Sequence, residues 1–155
     1  MKADKKIEEL LEDYKKPLKK VFKYNKKDAI SFEKEDREKV LGKNGVFVIF
    51  DEEDEPVYVG QAGGYSTGHR PTQKDLYEKL GQFNLKSDAS TNKFKRAFAE
   101  DKGLDPEEAR EIRAIDYELN VQFIKVKGNP SFINILELLA LEYAKSKDID
   151  LYNFK

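Results

Sequence analysis

The spacing of apolar and polar positions divides the chain into helical and extended segments. Residues 4–23 carry apolar side chains three and four positions apart, which predicts an amphipathic helix that packs one face on the rest of the protein. These apolar positions are Ile7, Leu10, Leu11, Tyr14, Leu18 and Phe22. Pro17 lies inside the segment, and because proline lacks an amide donor and crowds the preceding turn, we expect the helix to kink or split near Lys16.

Two apolar runs on either side of an acidic loop predict an antiparallel hairpin. Residues 42–45 form a turn signal, and residues 46–50, Val-Phe-Val-Ile-Phe, indicate a buried strand. An acidic stretch and a proline at 51–56 separate this strand from a second one at 57–60. The β-forming run at 119–126, before the break at 128–130, predicts a third strand.

The remaining segments predict helices around this sheet. Helical patterns occur at 35–41, from 75 to 80, at 91–101, at 105–115 and at 131–147, and residues 61–73 are expected to form a loop. In the segment at 105–115, Asp105 has the position of an N-cap and Pro106 lies in the first turn. The order of elements predicts an α/β (α+β) fold, a small three-stranded, mainly antiparallel sheet flanked by helices.

Composition narrows the classes of site and location. The chain of 155 residues fits one domain, and the absence of cysteine excludes disulfides, thiolate zinc sites and a cysteine nucleophile. The single histidine, His69, excludes a multi-histidine metal site. The first residues lack the apolar region of a signal peptide, and no stretch approaches the ~18 apolar residues of a membrane span. We therefore expect a cytoplasmic protein without membrane contact.

Lysines near the N terminus are the candidate contact for an anionic partner. The net charge of −1 gives the whole protein no basic field, so nucleic-acid binding would need a local patch. Seven lysines have the helical spacings that stack charges along one face. They are Lys15, Lys16, Lys19, Lys20, Lys23, Lys26 and Lys27. A solvated helix surface that favours solubility is the alternative interpretation.

A series of short motifs resembles the GIY-YIG nuclease family. In chain order the motifs are Gly45-Val46-Phe47, Tyr58-Val59-Gly60, the segment from Leu76 to Leu80, Leu136-Glu137 and Tyr152-Asn153. The resemblance runs from Gly45 to the C terminus and rests on the order of the motifs and the hairpin spacing, since no single motif is specific. It implies a nuclease domain at 43–155 and an N-terminal helical extension at 1–42 packed on that domain.

The resemblance also implies a cofactor and a mechanism. In this family a glutamate on the last long helix holds a divalent ion, Mg²⁺ (or Mn²⁺), and water attacks a phosphodiester bond of DNA with help from a motif tyrosine, an arginine and often a lysine. Phosphate hydrolysis needs neutralised charge on the phosphate and a positioned water. One carboxylate suffices to hold magnesium, because this ion keeps most of its water shell.

Glu137 can be singled out from the helix geometry alone. At about 100° per residue, Ile133, Leu136, Ala140, Leu141 and Ala144 form an apolar arc. Glu137 projects inside this arc, and a carboxylate there must be paired, hydrogen-bonded or metal-bound. A salt bridge to a lysine of the first helices is the structural alternative. Glu142 is a second candidate ligand, because the interval 153 − 137 = 16 exceeds the usual family interval between glutamate and asparagine.

Tyr58 and Asn153 are the other candidates that match the family pattern. Gly60, two positions after Tyr58, shares its face of the strand and leaves room for a backbone to approach, so Tyr58 is placed to orient or deprotonate water. Asn153 resembles the terminal asparagine of the family, which holds the site together by hydrogen bonding. An ordinary core aromatic and a surface amide are the alternatives at these two positions.

Other positions depart from the family pattern. Phe47 replaces a tyrosine, and Lys79 replaces an arginine, which keeps the charge but loses the bidentate fork suited to phosphate. Gln61 stands where some members have lysine. Arg70 is a candidate substitute for the missing arginine, and His69 a candidate base, although both also fit an ordinary polar loop.

The combined prediction is a metal-dependent DNA endonuclease, with Glu137 as metal ligand and with Tyr58, Lys79, Arg70 and Asn153 as further site residues. The alternative is a catalytically degenerate module of the same fold that binds nucleic acid or protein. A targeting protein partner is possible in either case, because no recognition motif for a DNA sequence accompanies the predicted domain. The sequence leaves the oligomeric state open.

Overall fold

The computed structural model describes residues 2–67, 70–71, 74–86 and 93–155. Its α-helices are α1 (Lys2–Val21), α2 (Lys34–Arg37), α3 (Leu76–Gly81), α4 (Lys93–Asp101) and α5 (Pro130–Ser146). Its strands are β1 (Gly45–Phe50), β2 (Pro56–Ala62), β3 (Tyr65–Thr67), β4 (Arg70–Pro71) and β5 (Asn120–Lys125). The predicted α/β class, with a three-stranded antiparallel sheet and flanking helices that include an N-terminal one, is confirmed.

The main sheet has the order β2-β1-β5, with both pairs antiparallel. All six residues of the central strand β1 are buried, as its uninterrupted apolar run predicts. Phe47 lies directly opposite Gly60 of β2 on one side and Phe123 of β5 on the other. The hairpin and the third strand therefore occur where the sequence predicts them.

The two faces of this sheet contribute to two separate cores. Because side chains alternate along a strand, Phe47 and Ile49 pack into one core with residues of α3 and α4. Val46 and Val48 pack into the other core with residues of α1 and α5. The helices thus cover both faces of a sheet too small to form a core alone.

The N-terminal helix is not split at Pro17. Helix α1 continues from Lys2 to Val21 across this proline, so the predicted split is not observed. One missing amide donor costs one intrahelical hydrogen bond, whereas the ring of Tyr14 packs 5.0 Å from that of Phe132 and Val21 is buried in the second core. Packing on both sides of Pro17 therefore maintains the helix.

Two segments between the strands were predicted incorrectly. The expected loop at 61–73 begins later, because β2 extends to Ala62, and it contains the two-stranded pair β3–β4. The expected helix at 105–115 consists of two 3-10 turns, Pro106–Glu111 and Ala114–Asp116. Asp105 still caps the first turn by accepting the amide proton of Glu107 at 3.1 Å. Within the described ranges, no helix is long and apolar enough to cross a membrane.

Candidate active site

A cavity of about 240 Å³ lies beside β2, between the sheet and the helices α3, α4 and α5. Residues from both motif strands, from α3 and from α5 share its wall. The lining residues are Phe47, Tyr58, Gly60, Gln61, Lys79, Gln82, Phe83, Lys93 and Glu137. Three of the predicted site residues, Tyr58, Lys79 and Glu137, therefore meet at one cavity.

Tyr58 is held by aromatic neighbours on the face of β2 that it shares with the first core. Its ring centroid lies 6.2 Å from that of Phe83 and 5.5 Å from that of Phe94, both at steep interplanar angles. Edge-to-face packing of this kind favours one ring orientation. Most of the ring is buried among core residues while the side chain borders the cavity, so Tyr58 is both a core aromatic and a cavity residue.

Gly60 makes room for the side chain of Phe47. A Cβ atom built on Gly60 would lie 2.4 Å from Cζ of Phe47 and 2.9 Å from both Cε atoms. The expectation that a backbone approaches Gly60 is therefore corrected, because an aromatic ring occupies this space. Phe47 is fully buried and its ring lies 6.0 Å from that of Phe83. Phe47 thus contributes to the lining of the cavity from within the core.

Helix α3 carries Lys79 to the wall of the cavity. Asp75 is the N-cap of this helix, since its side chain accepts the amide proton of Glu78 at 2.8 Å. The same carboxylate accepts the amide proton of Gly42 at 2.6 Å, which ties α3 to the turn before β1. Lys79 is one turn further along α3 and partly buried, so its position relative to β1 is set by this cap.

Glu137 reaches the cavity from α5. It is partly buried, as the helix geometry predicts, and within the described part of the chain its carboxylate makes neither a hydrogen bond nor an ion pair shorter than 4.0 Å. The alternative of a salt bridge to a lysine of the first helices is therefore not observed. Glu142 is exposed and does not line the cavity.

The ionisable groups of the cavity influence one another. Burial raises the pKa of Glu137, and the charge of Lys79 partly offsets this increase. Burial also lowers the pKa of Lys79, as does the nearby charge of Lys74, while Glu137 acts in the opposite direction. The pKa of Tyr58 is raised, first by burial and then by the negative charge of Glu137. Tyr58 is therefore a neutral phenol at physiological pH.

Asn153 pairs with the outer edge of β2 at Val59. Its side-chain amide accepts the N–H of Val59 at 2.9 Å and donates to the C=O of Val59 at 2.8 Å, as a neighbouring strand would. Lys93 in turn donates from Nζ to the backbone carbonyl of Asn153 at 2.5 Å. Asn153 does not line the cavity, and its hydrogen bonds fix the strand that carries Tyr58 and Gly60.

A second side-chain amide connects α5 to the chain that follows β2. Asn134 accepts the N–H of Tyr65 at 2.6 Å and donates to its C=O at 2.9 Å. Gln61 accepts the N–H of Gly64 at 2.9 Å. Because Asn134 precedes Glu137 by one helical turn, this contact holds the turn of α5 that carries Glu137 next to the chain after β2.

The side chains of two candidate site residues are not described by the structure, and two residues at the site were not predicted from the sequence. His69 and the side chain of Arg70 lie outside the described residues, so their roles stay predictions. Lys93 and Asn134 were not predicted as parts of the site. Lys93 begins a helix after a polar segment and has no motif around it, and Asn134 shows only as a polar residue in an apolar helix.

A magnesium site is compatible with the donors at this cavity. Among the described residues, no group of three or more histidines, cysteines or carboxylates could enclose a metal ion. A metal at this position would therefore depend on Glu137 and on water ligands, a coordination that Mg²⁺ accepts.

Comparison with known proteins gives no family assignment. No protein-family model matches the chain, and neither a curated protein nor a solved structure shows significant similarity to it. The resemblance to the GIY-YIG family stays a prediction that rests on the sequence motifs.

Proposed function

We propose that this protein is a metal-dependent DNA endonuclease that hydrolyses phosphodiester bonds by a one-metal mechanism of the GIY-YIG type. The observation that supports it most is the meeting of Tyr58, Lys79 and Glu137 at one cavity. These residues come from β2, α3 and α5 and are far apart in the sequence. The motifs that suggest the family thus supply a tyrosine, a cation and a carboxylate to the same space.

Glu137 is the residue proposed to hold Mg²⁺ or Mn²⁺. Its carboxylate is partly desolvated and has no described partner within ion-pair distance, so a cation would offset the cost of its burial. When bound, the metal would neutralise charge on the scissile phosphate and acidify a water molecule. Lys79, which lines the same cavity, would bind a phosphate oxygen.

Tyr58 is proposed to orient the attacking water as a hydrogen-bonding partner. Burial and the charge of Glu137 raise the pKa of its phenol, which disfavours the phenolate that proton abstraction would require. Of the two roles that the sequence leaves open, orientation of water therefore fits the structure better than deprotonation. Lys93 lines the same cavity and supplies a second positive charge for the DNA backbone.

The buried ring of Phe47 favours a second candidate function, a catalytically degenerate module that binds nucleic acid or protein. This position provides no hydroxyl to the cavity, and the ring is packed beneath Phe83. A module of this kind would bind DNA equally well with and without metal, and its affinity would fall as salt rises.

The test is cleavage of supercoiled plasmid and of branched or flap DNA in magnesium, manganese or EDTA. Glu137→Gln and Tyr58→Phe are compared with wild type, and Glu142→Gln is the matched control, an exposed glutamate on the same helix. We expect metal-dependent cleavage that Glu137→Gln abolishes and Glu142→Gln leaves intact. Absence of cleavage on every substrate, with metal-independent DNA binding, would favour the degenerate module. Loss of activity in Glu142→Gln alone would assign the metal to that residue.

A further inference from the structure

The outer edge of β5 is only partly paired. Val121 exchanges two backbone hydrogen bonds with Ile30, at 2.9 and 2.8 Å. Backbone groups of an antiparallel strand alternate between its two sides, so the N–H and C=O groups of Phe123 and Lys125 face the same outer side as those of Val121. The inward bond from Val126 N–H to the carbonyl of Asn44, at 2.8 Å, agrees with this alternation.

The chain turns away from β5 beside these groups. An antiparallel continuation beyond Ile30 would place residues 28 and 26 opposite Phe123 and Lys125. Instead, the amides of Asp28 and Ala29 both donate to the carbonyl of Asn25, at 2.9 and 3.0 Å, which closes a turn. Within the described ranges, no strand pairs with the outer side of β5 after Val121.

A groove of about 430 Å³ lies along this open edge. Helix α1 forms one wall, the turn at residues 25–28 another, and β5 the floor. Its lining residues are Pro17, Lys20, Val21, Lys27, Asp28, Gln122, Phe123, Ile124 and Lys125. Three lysines and one aspartate give the groove a local charge of 3 − 1 = +2, in a protein whose net charge is −1.

The walls of the groove are fixed by a buried side chain. Gln122 accepts the N–H of Asn25 at 2.6 Å and donates to the carbonyls of Lys23 and Val21 at 2.9 and 3.3 Å. These bonds join β5 to the end of α1 and to the start of the turn. The groove is therefore present before a ligand arrives, which lowers the entropic cost of binding.

We propose that this groove binds a short, extended, acidic peptide segment of a partner protein, which adds as a strand to β5. The open edge offers alternating N–H donors and C=O acceptors, and a peptide backbone satisfies both kinds of group. A nucleic-acid phosphate only accepts hydrogen bonds, so it would leave the carbonyls of Phe123 and Lys125 without partners. Lys20 on α1 and Lys125 on β5 line the groove and would favour acidic side chains in the bound peptide.

The direct test measures binding of a fluorescein-labelled peptide of alternating glutamate and valine by fluorescence anisotropy. A control peptide with proline in place of each valine keeps the negative charge, removes the valine donors and locks every second residue at a φ far from that of a paired antiparallel strand. The proposal predicts saturable binding of the first peptide, about tenfold weaker binding of the proline peptide, and shifts of the Phe123 and Lys125 amide signals in an NMR titration.

Charge-reversal variants test the lysines. Lys20→Glu combined with Lys27→Glu is expected to weaken binding of the glutamate–valine peptide about tenfold, whereas Lys147→Glu, an exposed lysine after α5, leaves binding unchanged. The readout is binding without cleavage, so its outcome is independent of the nuclease proposal.

Three outcomes would overturn the proposal. Equal affinity for the proline peptide would show attraction by charge without strand addition. Binding of a single-stranded DNA oligonucleotide at these amides, with no binding of the peptide, would assign the groove to nucleic acid. Self-association that disappears when the acidic residues of the 51–55 loop are replaced by serine would assign it to a second copy of the chain.

Discussion

The contact between Gly60 and Phe47 gives the sharpest test of how the site is built. In Gly60→Ala the new Cβ would lie 2.4 Å from Cζ of Phe47, a separation at which one of the two strands or the ring must shift. The ring is fully buried and packed against Phe83, so it has little room to move. We therefore expect the substitution to be destabilising, although alanine is otherwise suited to a strand at least as well as glycine.

The expected loss of unfolding free energy in Gly60→Ala follows from the atoms that the new methyl group would contact. One methyl group forced into a packed core costs about 1–3 kcal/mol. Phe47→Leu removes Cζ and both Cε atoms, the three atoms that the new methyl would contact, at the cost of a smaller core side chain. In the double variant the methyl enters space that the leucine has vacated, so the two effects should not add. The expected coupling free energy is about 1–3 kcal/mol in favour of the double variant.

Urea unfolding followed by far-UV circular dichroism measures this cycle. The four proteins are wild type, Gly60→Ala, Phe47→Leu and the double variant, each analysed for its free energy of unfolding and its m-value. Additive losses in the double variant would refute the steric argument, because they would show that the methyl and the ring do not compete for the same space.

Three further predictions concern the cavity and the edge of β2. Burial raises the pKa of Glu137 in the folded state, so ionisation of this carboxyl opposes folding above that pKa. Glu137→Gln should therefore melt a few degrees higher than wild type at pH 8, and the difference in melting temperature should vanish in acid. An equal difference at every pH would contradict this. Protons compete with magnesium for the Glu137 carboxylate, and its raised pKa extends this competition to higher pH. The magnesium concentration that gives half-maximal cleavage should therefore fall as the pH rises from about 4 to about 8, which single-turnover rates would measure. Asn153→Ala removes both hydrogen bonds to Val59 and should lower the free energy of unfolding by about 1–3 kcal/mol in urea, whereas unchanged stability would show that the edge is satisfied by water.

Periodic patterns in the sequence were sufficient to predict the main elements. The apolar run of β1 and the acidic loop after it predicted the hairpin, and the apolar arc around Glu137 predicted a partly buried carboxylate on α5. Glu142, the second candidate ligand on this helix, is exposed. These predictions succeeded because burial of a repeated apolar pattern determines both the element and the direction of its side chains.

Features set by single side-chain contacts were not predicted. Asn134 and Gln122 join elements that are far apart in the sequence through hydrogen bonds to backbone groups, and such contacts leave no repeat in the sequence. The continuous helix across Pro17 likewise depends on packing against α5, which outweighs the local preference of proline. The position of Lys93 follows from the docking of α4, not from a motif.

The two edges of the sheet differ in a way that connects both proposals. On β2, the amide of Asn153 occupies the outward N–H and C=O of Val59, the residue next to Tyr58, and so holds the strand that carries Tyr58 in place. On β5, the turn after Asn25 leaves the outward groups of Phe123 and Lys125 open beside three lysines. A catalytic site needs a rigid strand, whereas recruitment of a partner needs unpaired backbone groups. The proposed cleavage and the proposed peptide binding therefore use opposite edges, and β1 between them keeps ligands at the two sites from competing for the same surface.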